Sequence, residues 1–401
     1  MNSAFFAANR RRLTENTKGG LTILTAYTSM QRSADMAFAF EQEANFWYIT
    51  GIAEPDWWVI IDGQRNKTWL VVPHIDDVHK IFDGSLSKED ALRQSGANEI
   101  IEYDRALSLL RDLAKKHSIV HTLGEHPHKD HFNFIENPAQ RKLTAILERT
   151  FNSVQDCRKE LSKLRAIKQP VEITAMKKAI RLTTDAFEAV QHKLSELNYE
   201  YEVEAEFDYF FKKHAVSHAY DPIVAVGKNA CTLHYTKNNS PLQKKSLLLM
   251  DIGAKYGGYS ADITRTYAID KPSPRQIAVH DAVERSHQAI IKLIKPGFSV
   301  REYHEKVDEI MKHALMELGL MKNMDDEAYR TYFPHAVSHG LGIDPHDPLG
   351  APEVFEEGMI LTVEPGIYIP EENIGIRIED DILVTKTGRS NLSGHLSTGL
   401  V

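Results

Sequence analysis

The apolar positions in the first 160 residues follow two alternating patterns. Short runs rich in β-branched and aromatic residues predict strands over Leu21–Tyr27, Trp57–Asp62 and Lys67–Val72. Apolar residues three and four positions apart predict helices over Lys88–Gly96 and Arg105–Lys116. Because strands and helices alternate along this part of the chain, we expect a layered α/β domain.

The pattern changes near residue 165, where a segment rich in Lys and Arg is followed by Pro170 and long helical periodicity. We therefore predict two domains, 1–165 and 166–401. In the second domain we expect two or three long helices first and then strands, which gives an α+β domain. The predicted strands are Leu247–Ala254, Tyr259–Ile269, Met359–Tyr368 and Gly375–Thr385.

Composition excludes several classes of function. The chain has 48 Lys and Arg against 56 Asp and Glu, a net charge of −8, which argues against a nucleic-acid-binding protein with a basic surface. The two cysteines, Cys157 and Cys231, exclude a disulfide framework or a structural cysteine–zinc site. The N-terminus lacks the apolar core of a secretory signal, and no run of about 18 apolar residues occurs. We expect a cytoplasmic protein that does not span a membrane.

Two aspartates flank a glycine-rich turn in the second domain. Asp251 ends the apolar run Ser246–Met250, and Asp262 lies in the strand that follows the turn Lys255–Gly258. A hairpin centred on that turn would place the two carboxylates opposite each other on one face. Because opposed like charges destabilise a sheet, these two residues alone are more simply explained as solvated strand carboxylates.

Two glutamates change that interpretation. Glu364 ends the apolar run Met359–Val363, and period-two alternation places Arg377 and Glu379 on the same face of a later strand. An exposed Arg–Glu pair would account for the later strand by itself. However, four acids now lie in strands within otherwise apolar runs. Buried carboxylates need compensating charge, which metal ions supply.

Three histidines lie within twelve residues. His335, His339 and His346 are four and seven positions apart, and the glycines and proline between them argue against the continuous helix of an HExxH site. A single histidine is usually a polar surface residue, but this density indicates a ligand-bearing loop. His234, 17 residues before Asp251, is unremarkable by itself.

Together these motifs resemble those of the methionine aminopeptidase/creatinase superfamily of metallopeptidases, and within it those of aminopeptidase P (Xaa-Pro aminopeptidase). They occur in the family order through nearly the whole second domain: Leu233–Tyr235, Met250–Gly253, Tyr259–Arg265, His335–His346, Thr362–Gly366 and Gly375–Asp381. The first domain is similar to the N-terminal domain of aminopeptidase P at Arg32–Asp35 and Asn45–Gly51.

The resemblance implies a "pita-bread" fold for the second domain and a site for two divalent metal ions. Asp262 and Glu379 would bridge both ions. The charge of four carboxylates would balance that of two divalent cations, and carboxylate-rich ligation with one histidine favours manganese over cobalt, zinc or iron. The implied ligands are Asp251, Asp262, His339, Glu364 and Glu379.

The resemblance also implies the reaction. A metal-bridging hydroxide would attack the Xaa-Pro bond of a peptide with proline at the second position and release the N-terminal residue. Glu364 would carry a proton to the leaving nitrogen, and His234 and His346 would hold the charge that develops on the scissile carbonyl. His335, Tyr368 and Arg377 would lie on the substrate side, although Arg377 could instead only neutralise Glu379.

Three other functions remain open from the sequence. A prolidase would cleave only Xaa-Pro dipeptides, a creatinase-type enzyme would hydrolyse a small guanidino compound, and a non-catalytic pita-bread protein would only bind a partner. Ser338 and the segment Phe46–Tyr48 favour aminopeptidase P over prolidase, and the complete ligand set argues against the other two.

Two departures from the family pattern affect substrate length and subunit contacts. The stretch Asp347–Val363 is short and contains no arginine, and Phe82 stands where a relative has tryptophan. The resemblance suggests a homodimer or homotetramer.

Overall fold

The computed structural model describes residues 1–126, 129–133, 135–324 and 326–400. The chain forms two compact units, Met1–Leu164 and Arg165–Val401. The division lies one residue before the position predicted from the sequence. Among the described residues, every helix is too short or too polar to cross a lipid bilayer.

The described residues of the first unit form the strands β1 (Leu21–Thr25), β2 (Gln31–Ser33), β3 (Met36–Ala37), β4 (Trp58–Asp62), β5 (Lys67–Val72), β6 (Glu99–Glu102), β7 (Ile119–Thr122) and β8 (Ser153–Asp156). Six of these strands build a mixed sheet with the order β6-β5-β4-β1-β7-β8, and β2 and β3 pair separately. In the large sheet the central strands pair antiparallel, and β6, β7 and β8 join in parallel.

Helices pack on this sheet and complete an apolar core. Leu110 and Leu147 contact the same core as Ile23 and Ile60 of the sheet. The helices are α1 (Ser3–Asn16), α2 (Ala44–Thr50), α3 (Asp77–Asp83), α4 (Lys88–Ser95), α5 (Tyr103–Ala114), α6 (Lys129–Phe132) and α7 (Pro138–Thr150). The predicted α/β layering is confirmed, together with the three predicted strands and two predicted helices, within a few residues at each end.

The second unit combines helices with four small antiparallel sheets. Its helices are α8 (Arg158–Ala166, which contains the division between the units), α9 (Pro170–Lys193), α10 (Glu200–Lys213), α11 (Pro274–Leu293), α12 (Val300–Glu317) and α13 (Asp326–Tyr332). Its strands are β9 (Ser217–His218), β10 (Ile223–Val226), β11 (Leu247–Ile252), β12 (Ala254–Tyr256), β13 (Tyr259–Ser260), β14 (Ile263–Ala268), β15 (Ile360–Val363), β16 (Gly366–Ile369), β17 (Ile374–Arg377), β18 (Asp380–Thr385) and β19 (Gly388–Asn391).

The expectation that the helices of this unit precede its strands is wrong. Helices α11 and α12 lie between β14 and β15. The first turn of α11 carries a capping box formed by Ser273 and Gln276, with proline at the first helical position. Its buried residues pack in one core with α12 and with strands β15 to β18. The α+β class therefore holds, but helices and strands interleave.

The register of the hairpin that carries the two aspartates also differs from the prediction. Gly257 and Gly258 have φ of 59° and 87°, so they form a two-residue turn that pairs Tyr256 with Tyr259. This register places Asp251 opposite Thr264, two residues beyond Asp262. The prediction of directly opposed carboxylates is wrong because the turn is centred one residue later than assumed.

Three predicted strands are interrupted at acidic residues. The chain leaves its ladder at Asp262 between β13 and β14, at Glu364 between β15 and β16, and at Glu379 between β17 and β18. At the second break Pro365 has no N–H for a ladder, and at the third the N–H of Glu379 donates to the carbonyl of Thr264 at 3.0 Å. The three acids at these breaks line one common cavity.

Candidate metal centre

Four acids and one histidine converge on a cavity of about 220 Å³ in the second unit. The Nε2 atom of His339 lies 3.3 Å from Oε1 of Glu364 and 3.6 Å from Oδ2 of Asp262. Ligand atoms of Asp262, His339 and Glu379 all lie within 4.8 Å of one another. Asp251 lines the same cavity. The structure thus brings together residues that are up to 128 positions apart (379 − 251).

The pKa values of these acids indicate which kind of ligand the cavity suits. Asp262 and Glu379 are only 5% and 2% exposed. Burial raises the pKa of Asp262, Glu364 and Glu379 well above the usual range, and the neighbouring carboxylates raise each pKa further. Because a cation would relieve both effects, this set of donors fits divalent metal ions.

His339 is prepared to act as a neutral ligand. Its Nδ1 lies 3.0 Å from the carbonyl oxygen of Gly340, so Nδ1 carries the proton and Nε2 presents its lone pair to the carboxylates. Burial, with a smaller contribution from His346, lowers the pKa of His339 to about 4. At neutral pH the imidazole is therefore already uncharged and can bind a metal ion without first releasing a proton.

Tyr220 is part of this site, although the sequence reasoning did not find it. Its hydroxyl lies 2.6 Å from Oδ1 of Asp251 and 2.6 Å from Oδ1 of Asp262. One phenolic hydrogen is thus shared by the carboxylate of Asp251 in β11 and that of Asp262 between β13 and β14. Tyr220 just precedes β10, whose Ile223 pairs with Asp251, so only the strand register could have indicated its position.

Arg377 connects several walls of the cavity. It donates to Oδ2 of Asp251 at 2.6 Å and to the hydroxyl oxygens of Tyr368 at 2.9 Å and Thr264 at 3.1 Å. Thr264 in turn donates to Oε2 of Glu379 at 2.6 Å. The guanidinium therefore forms its ion pair with Asp251 and reaches Glu379 through Thr264.

The other predicted histidines also line this cavity, together with His339. Nε2 of His335 lies 2.8 Å from the hydroxyl of Tyr368, and its Nδ1 lies 2.7 Å from the carbonyl of Ala336. Burial, aided by the nearby charge of Arg377, lowers the pKa of His335 to about 3. The ring centroid of His346 is 4.1 Å from that of His339, and His234 forms part of the same wall.

The loop that carries His335, His339 and His346 is fixed by a buried charge cluster. We call this cluster the Asp347 anchor; it consists of Arg165, Lys168 and Asp347. Arg165 donates to Asp347 and, at 2.8 Å, to Asp344, and Nζ of Lys168 lies 3.1 Å from Oδ2 of Asp347. Burial alone would raise the pKa of Asp347, but Arg165 and Lys168 hold it below its usual value. The sequence reasoning did not predict this anchor.

Two family models match the chain. The model of metallopeptidase family M24 matches residues 174–386, and that of the aminopeptidase P N-terminal domain matches residues 6–121. The first region contains all four acids and all four histidines that line the cavity.

Relatives and solved structures match most or all of the chain. The Xaa-Pro aminopeptidase of Escherichia coli strain K12 is 33% identical, over 98% of this chain and 94% of its own length. Human Xaa-Pro aminopeptidase 3 is 30% identical, over 88% of this chain and 74% of its own length. The solved structure of proline aminopeptidase P II from Yersinia pestis has a TM-score of 0.85 and 31% identity, covering 100% of this chain and 98% of that one. A zinc-substituted E. coli aminopeptidase P in complex with product has a TM-score of 0.86 and 30% identity, covering 100% and 97%.

Proposed function

The chain belongs to metallopeptidase family M24, and from this premise we propose how its cavity holds metal ions and cleaves a peptide. It is a metal-dependent Xaa-Pro aminopeptidase, which removes the N-terminal residue from peptides with proline second, and its C-terminal domain has the pita-bread fold of aminopeptidase P. The observation that carries the rest of the proposal is the convergence of three buried acids, the half-buried Glu364 and a neutral histidine on one cavity.

We assign five residues as ligands of two divalent ions, with manganese as the favoured metal because carboxylate oxygens predominate. Asp262 and Glu379 would contact both ions, which agrees with their closeness to His339 and to each other. When bound, the two cations would supply the positive charge that activates a shared water and polarises the scissile carbonyl. The proposed ligands are Asp251, Asp262, His339, Glu364 and Glu379.

Glu364 is the proposed proton carrier. Its carboxylate lies between the rings of His339 and His335, at 3.3 Å and 3.6 Å, and it accepts a weak hydrogen bond from Thr362 at 3.4 Å. Because it lies beside both the proposed ligand His339 and His335 on the proposed proline side, this carboxylate is close to both the attacking water and the leaving nitrogen. We propose that it receives a proton from the attacking water and passes it to the proline nitrogen.

The remaining residues position the substrate and stabilise its charge. Arg377 donates to Tyr368, and the Tyr368 hydroxyl donates to Nε2 of His335, since Nδ1 of that ring is occupied by Ala336. This chain of hydrogen bonds holds the His335 ring against the proline side of the cavity. His234 and His346 are placed to donate hydrogen bonds to the oxyanion that forms on the scissile carbonyl.

Metal binding is expected to stabilise the protein more strongly as the pH rises. Without metal, the raised pKa values of Asp262, Glu364 and Glu379 mean that the folded protein resists ionisation while the unfolded chain ionises near pH 4. The metal-free fold therefore loses stability above that pH, and bound cations remove the loss. We expect the rise in Tm caused by Mn²⁺ to grow between about pH 5 and about pH 8, measured by calorimetry.

The same samples test the requirement for metal. Chelation should abolish peptide cleavage, and Mn²⁺ should restore it. A fully active sample that contains no metal by elemental analysis, or a Tm gain that does not change with pH, would contradict the ligand assignment.

Peptides of three residues are expected to be better substrates than dipeptides. A prolidase must bind the carboxylate of the proline itself, usually with a basic residue. Among the residues lining the cavity, Arg377 is the sole Lys or Arg, and it is already paired with Asp251. His335 is neutral at pH 7, and Asp347–Val363 contains no Lys or Arg. The free carboxylate of a dipeptide would thus be buried without a charged partner.

The measurement is kcat/KM for matched Xaa-Pro-Xaa and Xaa-Pro peptides with saturating Mn²⁺ near neutral pH. Peptides with alanine in place of proline are the control and should not be cleaved. Faster cleavage of the dipeptides would favour prolidase, which is the second candidate, and would leave the metal assignment unchanged.

We also propose that the chain works as a homodimer or homotetramer. Ile81 and Phe82 on α3 are each 81% exposed in the isolated chain, an arrangement that favours burial against another copy.

A further inference from the structure

A second group of side chains with metal-ligand chemistry lies on helix α11, outside the metal centre. One ring nitrogen of His280 and one carboxylate oxygen each of Asp281 and Glu284 lie within 4.8 Å of one another. None of the three residues lines the cavity of the metal centre. His280 and Glu284 are four positions apart, so they share one face of the helix. We call these three residues the α11 cluster.

His280 is buried and held in one orientation. Its side chain is only 4% exposed, and Nε2 lies 2.8 Å from the carbonyl oxygen of Thr398. Because a carbonyl only accepts, Nε2 carries the proton and donates it to this hydrogen bond, and Nδ1 is left with a lone pair. Oδ1 of Asp281 lies 3.8 Å from Nδ1, which is too far for a hydrogen bond. Within the described residues, Nδ1 thus has no hydrogen-bond partner.

This arrangement of the imidazole is that of a histidine that binds metal. Such a histidine almost always donates its second ring nitrogen to a carbonyl or carboxylate, which fixes the tautomer and directs the lone pair at the ion. The proposed ligand His339 is held in the same way by the carbonyl of Gly340, and its other nitrogen faces carboxylates. The buried ring of His280 is therefore an indication of a ligand that is independent of the two acids beside it.

The two carboxylates of the α11 cluster lack a cationic partner from Lys or Arg in the part of the chain that the structure describes. Glu284 accepts a hydrogen bond from the hydroxyl of Thr398, which carries no charge. The cluster therefore combines two negative charges with one nitrogen lone pair. A divalent cation would balance the charges and bind the lone pair at the same time.

We propose that the α11 cluster binds one Zn²⁺ ion through Nδ1 of His280 and one oxygen each of Asp281 and Glu284. A mixture of nitrogen and oxygen donors suits zinc, whereas calcium and magnesium prefer oxygen donors alone. Bonds of about 2.0–2.2 Å place tetrahedral zinc ligands roughly 3.4 Å apart, so the carboxylates must move towards the ring. They are free to do so, since Asp281 is 52% exposed and Glu284 is half-buried.

The ion would strengthen the attachment of the segment around Thr398 to α11. Thr398 contacts His280 through its carbonyl oxygen and Glu284 through its hydroxyl, so an ion that fixes these two side chains also fixes their partner. The carbonyl oxygens of Ser397 and Leu400 already accept hydrogen bonds from β14, at 3.0 Å and 2.8 Å. The inferred role is therefore structural and separate from peptide cleavage.

Equilibrium dialysis against a zinc salt, followed by elemental analysis, tests the stoichiometry. The unaltered protein should bind one more Zn²⁺ per chain than Glu284→Gln or Asp281→Asn. Loss of a residue that only supports a metal ligand costs 10- to 100-fold in affinity, so loss of a ligand should lower the affinity for this ion by more than about tenfold. No variant alters the metal centre, so the difference between the proteins reports the α11 cluster alone.

Glu309→Gln is the matched control. Glu309 and His313 are also an acid and a histidine four positions apart, on the neighbouring helix α12, but both are exposed. This variant should bind as much zinc as the unaltered protein.

Anomalous diffraction at the zinc edge, from crystals of the full chain soaked in zinc, locates the ion. A peak about 2.0–2.2 Å from Nδ1 of His280 is expected. Equal zinc contents in the unaltered protein and in both cluster variants, or zinc at the metal centre without a peak beside His280, would overturn the proposal.

Discussion

Replacing Glu379 with glutamine is expected to remove nearly all peptidase activity and to reduce the metal content of the protein. The amide lacks the negative charge that two cations need, and it presents only one oxygen to them. Replacing a residue that merely supports a metal ligand costs 10- to 100-fold, so loss of a proposed bridging ligand should lower kcat/KM by more than about 100-fold. Asp262→Asn should have a similar effect.

The experiment combines steady-state kinetics with elemental analysis of each purified variant. Glu357→Gln, at an exposed glutamate outside the cavity, is the control and should retain both metal and activity. If Glu379→Gln binds two metal ions and cleaves peptides at the normal rate, Glu379 is not a bridging ligand.

Replacing His346 with alanine is expected to lower kcat while metal binding is retained. The centroid of its ring lies 4.1 Å from that of His339 in the wall of the cavity, and His346 is not among the ligands that we assign. Loss of one hydrogen-bond donor to a developing oxyanion typically lowers kcat on the order of 10²–10³. His234→Ala should lower kcat in the same way, since that residue lines the same wall.

The control is His192→Ala, at an exposed histidine near the end of α9, which should not change kcat. A normal kcat together with a normal metal content in both His346→Ala and His234→Ala would leave these histidines with a structural role only. Loss of metal in His346→Ala would show that the ring supports His339 and does not act on the substrate.

Much of this site could be predicted because its residues end recognisable apolar runs. Asp251 and Glu364 follow buried strand segments, and Pro365 marks the place where one strand must stop. The register of the hairpin could also have been predicted from the sequence, since two adjacent glycines favour a two-residue turn centred on Gly257 and Gly258.

Other parts of the site depend on contacts that no local pattern encodes. Tyr220 joins two aspartates only because β10 pairs with β11 in one register. Helices α11 and α12 separate strands that were expected to follow one another, although the capping box of Ser273 and Gln276 is a local signal for the start of α11. The sequence shows Arg165 only as one residue of a segment rich in Lys and Arg, because its partner Asp347 lies 182 positions away along the chain.

The Asp347 anchor sets a lower limit on any fragment of the chain that could work alone. A fragment cut to the matched family region, 174–386, would lack both Arg165 and Lys168. It would leave Asp347, whose side chain is only 1% exposed, as an uncompensated buried charge directly after His346. Removing the partners of a buried charge costs about 3–5 kcal/mol, a large share of the roughly 5–15 kcal/mol that keeps a typical domain folded. The smallest self-sufficient catalytic piece therefore begins at or before residue 165, upstream of the region by which the family is recognised.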